Sequence, residues 1–195
     1  MMNVPRGCQR IGSSAADHPL HVFRIARALH VDAGHGLVDP PQTQFCAKPE
    51  YRQFDFWIGR WDVYGAGSDR LVGHSLVEKL YNGCVLRENW MGLGGSTGGS
   101  LNLYQDTTGR WRQTWADSSG NWTEYSGQRV GPDMRFLALD TDRRTGAAVV
   151  RRMTFSPMAR GAVRQLIEVS ADNGATWKTD SDLTYRPADA ACEAR

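Results

Sequence analysis

The sequence predicts an all-β fold: a single antiparallel up-and-down β-barrel of about ten strands, with an N-terminal helical appendage. Three observations carry this expectation. All seven tryptophans lie between Trp57 and Trp177, and large aromatic side chains dominate core energetics, so the core belongs to that stretch. From residue 53 onward, short alternating runs are broken by turn residues at intervals of roughly 8–14 positions, as in a sandwich or barrel. Finally, no helical crossover interrupts the series, and locally connected strands in that number close more readily than they leave two open edges.

The elements follow in order. In the segment 17–33, Val22, Ile25, Ala26 and Leu29 fall at i, i+3, i+4 and i+7 and make one helical stripe. Asp17 is a candidate N-cap, and Gly34 and Gly36 are stop signals. Pro40-Pro41 then reads as an extended linker. Strands are expected over Phe56–Tyr64, Leu71–Tyr81 and Val85–Met91, with Asn82-Gly83 as a hairpin turn. Gly92–Gly99, GLGGSTGG, reads as a flexible loop. The series continues with Ser100–Tyr104, Trp111–Asp117, Asn121–Gly127, Met134–Leu139, Ala147–Ser156, Ala162–Ser170 and Lys178–Arg186. The domain limits are therefore an appendage over 1–50, a barrel over 51–187 and a tail over 188–195.

One turn has a distinctive pattern. Ser170–Trp177, SADNGATW, fits S-x-D-x-G-x-T-W and resembles the Asp-box hairpin of sialidase-type propellers. Asp172 would bind the loop backbone, Gly174 would make the turn and Trp177 would pack beneath. The motif occurs once, without a repeat, so a propeller is not expected; a self-satisfied hairpin is.

Alternate residues of a strand share a face. One face of 111–117 carries Trp111, Gln113, Trp115 and Asp117. In 85–91, Leu86, Glu88 and Trp90 group together, and in 162–170 so do Val163, Gln165, Ile167 and Val169. A lumen lined by Trp90, Trp115, Ile167 and Val163, with Glu88, Gln113 and Gln165 as polar points, would suit a small hydrophobic or amphipathic molecule. The competing expectation is an interior filled by side chains. Glu88 and Asp117 are the candidate acids if the barrel is an enzyme of isomerase, cyclase or hydrolase type, with Gln113 beside them. No serine occupies a G-x-S-x-G elbow.

Composition excludes some classes. Net charge is +2 from 23 basic and 21 acidic residues, spread without a basic stripe, so nucleic acid is not an expected partner. No apolar run reaches membrane-spanning length. No oligomeric state is encoded in a recognisable motif; a homodimer is open, and exposed aromatic patches would point to a partner-binding module. The four cysteines, Cys8, Cys46, Cys84 and Cys192, form no CxxC pair, so zinc-ribbon and thioredoxin patterns are absent. Cys46 and Cys84 flank the first two strands. A bridge between them and four free thiols both stand open. The polar start, 1–16, lacks the apolar core of a secretory signal and points to the cytoplasm.

No metal site is expected. His18, His21, His30 and His35 cluster in the appendage without carboxylates or cysteines at matching spacing. His74 is the one histidine in a strand and the candidate haem ligand. Asn121-Trp122-Thr123 matches a glycosylation acceptor but overlaps a strand.

A set of ordered motifs supports a family resemblance. Phe54–Val63 (FDFWIGRWDV), Gly83-Cys84-Val85-Leu86, Glu88-Asn89-Trp90, Ser100-Leu101-Asn102 and Gly109–Trp115 (GRWRQTW) resemble a bacterial family of uncharacterised proteins, the DUF1579-like group, which looks related to the calycins. The resemblance covers about 46–186. Gly59-Arg60-Trp61 is similar to the G-x-W of lipocalins, which implies that Trp61 plugs one barrel end. It implies no catalytic residue. Many members look exported, which would imply a periplasmic or secreted protein if translation starts elsewhere, and with it the Cys46–Cys84 bridge. The chain is also similar in strand number to the nitrobindins, which hold haem through a histidine, but no histidine stands near the last strands here. The leading expectation is thus a non-enzymatic, ligand-binding barrel without a cofactor.

Overall fold

The computed structural model describes residues 45–188. The helix expected over 17–33, the histidine cluster, Cys8 and Cys192 lie outside the described residues, as does the tail beyond residue 188.

Ten antiparallel strands form in chain order: β1 (Gly59–Gly65), β2 (Leu71–Leu80), β3 (Val85–Gly92), β4 (Thr97–Gln105), β5 (Arg110–Asp117), β6 (Trp122–Val130), β7 (Asp133–Thr141), β8 (Ala148–Pro157), β9 (Val163–Ser170) and β10 (Lys178–Pro187). Each pairs with its neighbours in sequence, and β1 pairs with β10, from Trp61 opposite Pro187 to Gly65 opposite Leu183. The sheet is a closed up-and-down barrel. Closure leaves no strand edge unpaired, which is how this topology avoids edge-to-edge association.

One expected loop is half strand. Within Gly92–Gly99 only the tip, 93–96, turns; β4 begins at Thr97. Gly98 and Gly99 are there for close packing. A Cβ on Gly98 would lie 2.9 Å from the Trp115 ring, and one on Gly99 would lie 2.5 Å from the Glu88 carbonyl oxygen. Glycine in a strand marks such an approach as readily as it marks a turn.

In an up-and-down barrel, alternate hairpins gather at opposite ends. The turns after β2, β4, β6 and β8 share one end with the entering chain, and that end is closed. Two short 3-10 turns, Pro49–Arg52 and Asp55–Trp57, cross it. Phe54 and Trp57 are fully buried there. Phe54 stacks on Trp57 at 5.0 Å and meets Trp111, Phe136 and Phe155 at 4.9–5.7 Å. Trp61 joins this cluster, edge-on to Tyr185, and its indole N–H donates to the Trp57 carbonyl at 3.0 Å. Gly59, with φ of 151°, lies under the Trp61 ring, where a Cβ would come within 3.4 Å.

The entering segment is also tied from outside. Cys46 is disulfide-bonded to Cys84 in the β2–β3 turn. Lys79 of β2 holds Asp55 and donates to the Tyr51 carbonyl. Trp111 donates to Gln53, and Lys48 pairs with Asp106. Residues 45–50 are therefore fastened to the barrel. Disulfide and ion pairs fix this segment where its own length could not make a stable helix.

Candidate functional site

Above the aromatic end the barrel holds a cavity of about 530 Å³. Register explains its lining. Cross-strand partners share a face, so Trp90 of β3, opposite Ser75 and Gly98, points inward, as do Trp115, opposite Ser100 and Thr123. Glycines make room for the rings. A Cβ on Gly73 would come 2.6 Å from the Trp90 indole, as one on Gly98 would crowd Trp115. Trp115 is further fixed by its N–H, which donates to Asp117 at 3.1 Å.

Of the residues singled out by alternation, Glu88, Trp90, Gln113, Trp115, Gln165 and Ile167 all line this cavity. Val163 does not: it is buried below, opposite Tyr185 and Pro157, in the packed core. Sequence alternation also missed several lining side chains, among them Tyr125, Met153, Leu183 and Tyr185. They sit on the inward parity of β6, β8 and β10.

The deep end is polar and centred on Glu88, which is 3% exposed. Ser75 donates to its Oε1 at 3.0 Å and Ser100 to its Oε2 at 3.2 Å; the Tyr185 hydroxyl lies 3.3 Å from Oε1. A directed chain stands behind Ser100: Gln113 donates to Asn102 at 2.6 Å, and Asn102 donates to the Ser100 hydroxyl at 2.9 Å. On the other side, Tyr185 reaches Gln165 Oε1 at 3.2 Å. Burial pushes the Glu88 carboxyl up to about 7, against the hydrogen bonds from Ser75, Ser100 and Tyr185 that favour its ionised form. Burial, with Glu88 alongside, raises the Tyr185 phenol well above its usual range.

Asp117 has a different role from the one expected. It lies at the strand end, where turn chemistry takes over from alternation. Partial burial opposes its ionisation, but Ser119, Asn121 and Trp115 all donate to it, and the outcome is a pKa well below the usual carboxylate range. It is the cap of the β5–β6 turn and holds no proton near neutral pH. The same bonds engage the Asn121 side-chain amide, which the glycosylation motif would require.

The mouth carries the charges. Arg151 of β8, on the inward parity, is held between Asp140 and Asp180 at 2.6 and 2.8 Å. Arg143 is bound to Asn121 and Ser119. Burial pushes the Tyr125 phenol up to about 12. Beside the mouth, the Ser170–Trp177 hairpin satisfies itself. Asp172 accepts from Ser170 and Thr176, which lower its carboxyl to about 2, and Gly174 lies against the Trp177 ring. Arg152 stacks on the outer side of that indole at 4.0 Å.

His74 faces away from the lumen. It lies opposite Asp62 and Met91 on the outer face, with Nδ1 2.7 Å from Asp62. Among the described residues no histidine lines the cavity, and no group of three or more His, Cys, Asp or Glu side chains is placed to hold a metal ion. No helix among them is long and apolar enough to cross a membrane. No family model matches the chain, and no curated protein matches it.

Proposed function

We propose that this barrel encloses one small amphipathic molecule and acts as its carrier or receptor. The observation that supports this reading most directly is the cavity itself: its volume of about 530 Å³ falls in the range of small-molecule sites. Apolar side chains, Trp90, Trp115, Met153, Ile167 and Leu183, line part of it, and Glu88, Gln113, Gln165 and Tyr185 make its depth polar. A ligand would place its hydrocarbon between the indoles and its polar end on the hydrogen-bond network. Membership of the DUF1579-like, calycin-related family belongs to the same proposal, supported by the ordered motifs and the closed ten-stranded barrel. The Cys46–Cys84 bridge favours an oxidising compartment.

The test is native mass spectrometry of the purified protein, joined to titration with an uncharged solvatochromic dye such as Nile red. The expected result is one bound small molecule or one dye per chain, with tryptophan emission changed by Trp90 and Trp115. Binding that survives Trp90→Ala and Trp115→Ala together would place the ligand elsewhere and overturn the reading.

A second reading, acid–base catalysis, has one specific observation in its favour: a buried carboxyl titrating near neutrality inside a cavity. Glu88 would then transfer a proton to or from an enclosed substrate. Extracted ligand that differs in mass or structure between wild type and Glu88→Gln would support it; identical ligand from both would remove it.

A further inference from the structure

We propose that the lumen selects an organic cation, a primary ammonium group on an apolar chain or ring, with Glu88 as its counter-ion and the aromatic walls around its hydrocarbon. This rests on the container reading above and specifies what the container holds.

The first ground is a contrast among the carboxylates. Four of those partly withdrawn from solvent are matched by cations, Asp55 by Lys79, Asp140 by Arg151, Glu168 by Arg152 and Asp182 by Arg164, while Asp117 and Asp142 are met by several N–H and O–H donors of their own turns. Glu88 is the most buried acid and pairs with no cation among the described residues; only hydroxyls meet it. A buried carboxylate without a counter-ion is costly, and a ligand that supplies the positive charge recovers that cost on binding.

The second ground is hydrogen-bond capacity. An ionised carboxylate accepts about four hydrogen bonds. Glu88 Oε1 has two hydroxyl neighbours and Oε2 has one. An ammonium has three N–H groups and no acceptor. It can donate to Oε2 and to Gln165 or Gln113 carbonyl oxygens, both of which line the same space.

The third ground is what the other lining charges do. Arg143 and Arg151 are at the mouth and already committed, to Asn121 and Ser119 in one case and to Asp140 and Asp180 in the other. An anionic head reaching the deep end would meet Glu88 with no cation beside it. At the mouth Asp140 and Asp180 balance the two arginines, and an ionised Glu88 leaves the lining as a whole with net negative charge, which favours cations. Trp90, Trp115 and Tyr125 add ring faces, which attract ammonium groups and their adjoining methylenes.

The experiment compares four probes of one chain length, octylamine, 1-octanol, 2-octanone and octanoate, by calorimetry at pH 8 on the full chain. Octylamine is expected to bind at least about ten-fold tighter than octanol, the gain of a charge-assisted hydrogen bond over a neutral one, with octanoate weakest. Glu88→Gln is expected to abolish the amine's advantage, so that octylamine and octanol bind that variant alike, with its near-UV circular dichroism reporting that it is folded. Equal binding of octylamine and octanol by wild type, or tighter binding of octanone, overturns the ammonium assignment while the container reading stands. So does a preference for the amine that survives in Glu88→Gln. If none of the four binds, the container reading itself fails.

Discussion

The two ends of the barrel are built from the same alternating strands but do opposite work. At the closed end, Phe54, Trp57, Trp111, Phe136 and Phe155 interlock, and the polar groups nearby serve to fasten the entering chain. At the open end, Trp90 and Trp115 are only half-buried, and the interior holds a carboxyl, amides, hydroxyls and an arginine between two aspartates. Stability is concentrated where rings meet rings, because the buried area and packing of aromatics dominate the folding balance. The open end buries polar groups that need partners, and it contributes less to folding for that reason.

The sharpest way to break this comparison is to truncate one aromatic at each end. Phe54→Ala leaves a cavity among five rings and is expected to cost about 3–5 kcal/mol, the range for a large aromatic lost from a packed core. Trp90→Ala opens into space that already exists, and its cost is expected to stay near 1 kcal/mol, as for a partly exposed site. Urea unfolding of both variants measures the difference. Similar losses at the two positions would show that the ends share the stability evenly.

Much of this division was legible in the sequence, because a barrel strand has period two and its turns have their own chemistry. All ten strands followed from alternating runs broken by turn residues, and six of the seven side chains that parity placed in the lumen line the cavity. Val163 has the right parity but lies too near the closed end, and depth along the axis depends on strand stagger, which no single strand records. Asp117 fails for a related reason: it has the parity of Trp115 but ends the strand, where Ser119 and Asn121 claim it. The partners of Glu88 needed long-range register. Tyr185 is 97 positions away in the chain and meets Glu88 only because β10 closes on β1. Gly98 and Gly99 looked like loop residues because the same atom-poor side chain permits both a turn and a close approach.

Glu88 sharpens the comparison from the open end. Its carboxyl titrates near 7 when folded, against an ordinary value of 4.5. Between those values the unfolded chain releases a proton that the folded chain keeps. Stability therefore falls as pH rises through this window, by about 3 kcal/mol, and is flat above it. Glu88→Gln removes the charge and keeps the volume. Above pH 7 the variant is expected to be the more stable by about that amount, and below pH 4.5 the two proteins should unfold alike. Thermal melts across pH 4–8 decide it; parallel profiles would mean that Glu88 is solvated or neutralised by another group.

The finest distinction lies inside the closed end, between two neighbouring indoles. Trp61 and Trp57 are both buried, but only the Trp61 N–H has a partner, the Trp57 carbonyl. The Trp57 N–H has none among the described residues. Replacing either by Phe removes similar volume. Trp61→Phe also deletes a buried hydrogen bond, and its cost should exceed that of Trp57→Phe by about 1 kcal/mol, because the latter discards a donor that was already unmet. Chemical denaturation resolves a difference of that size. If Trp57→Phe proved the costlier variant, its N–H would be bonded in solution, and the closed end would hold a polar contact where the packing shows only rings.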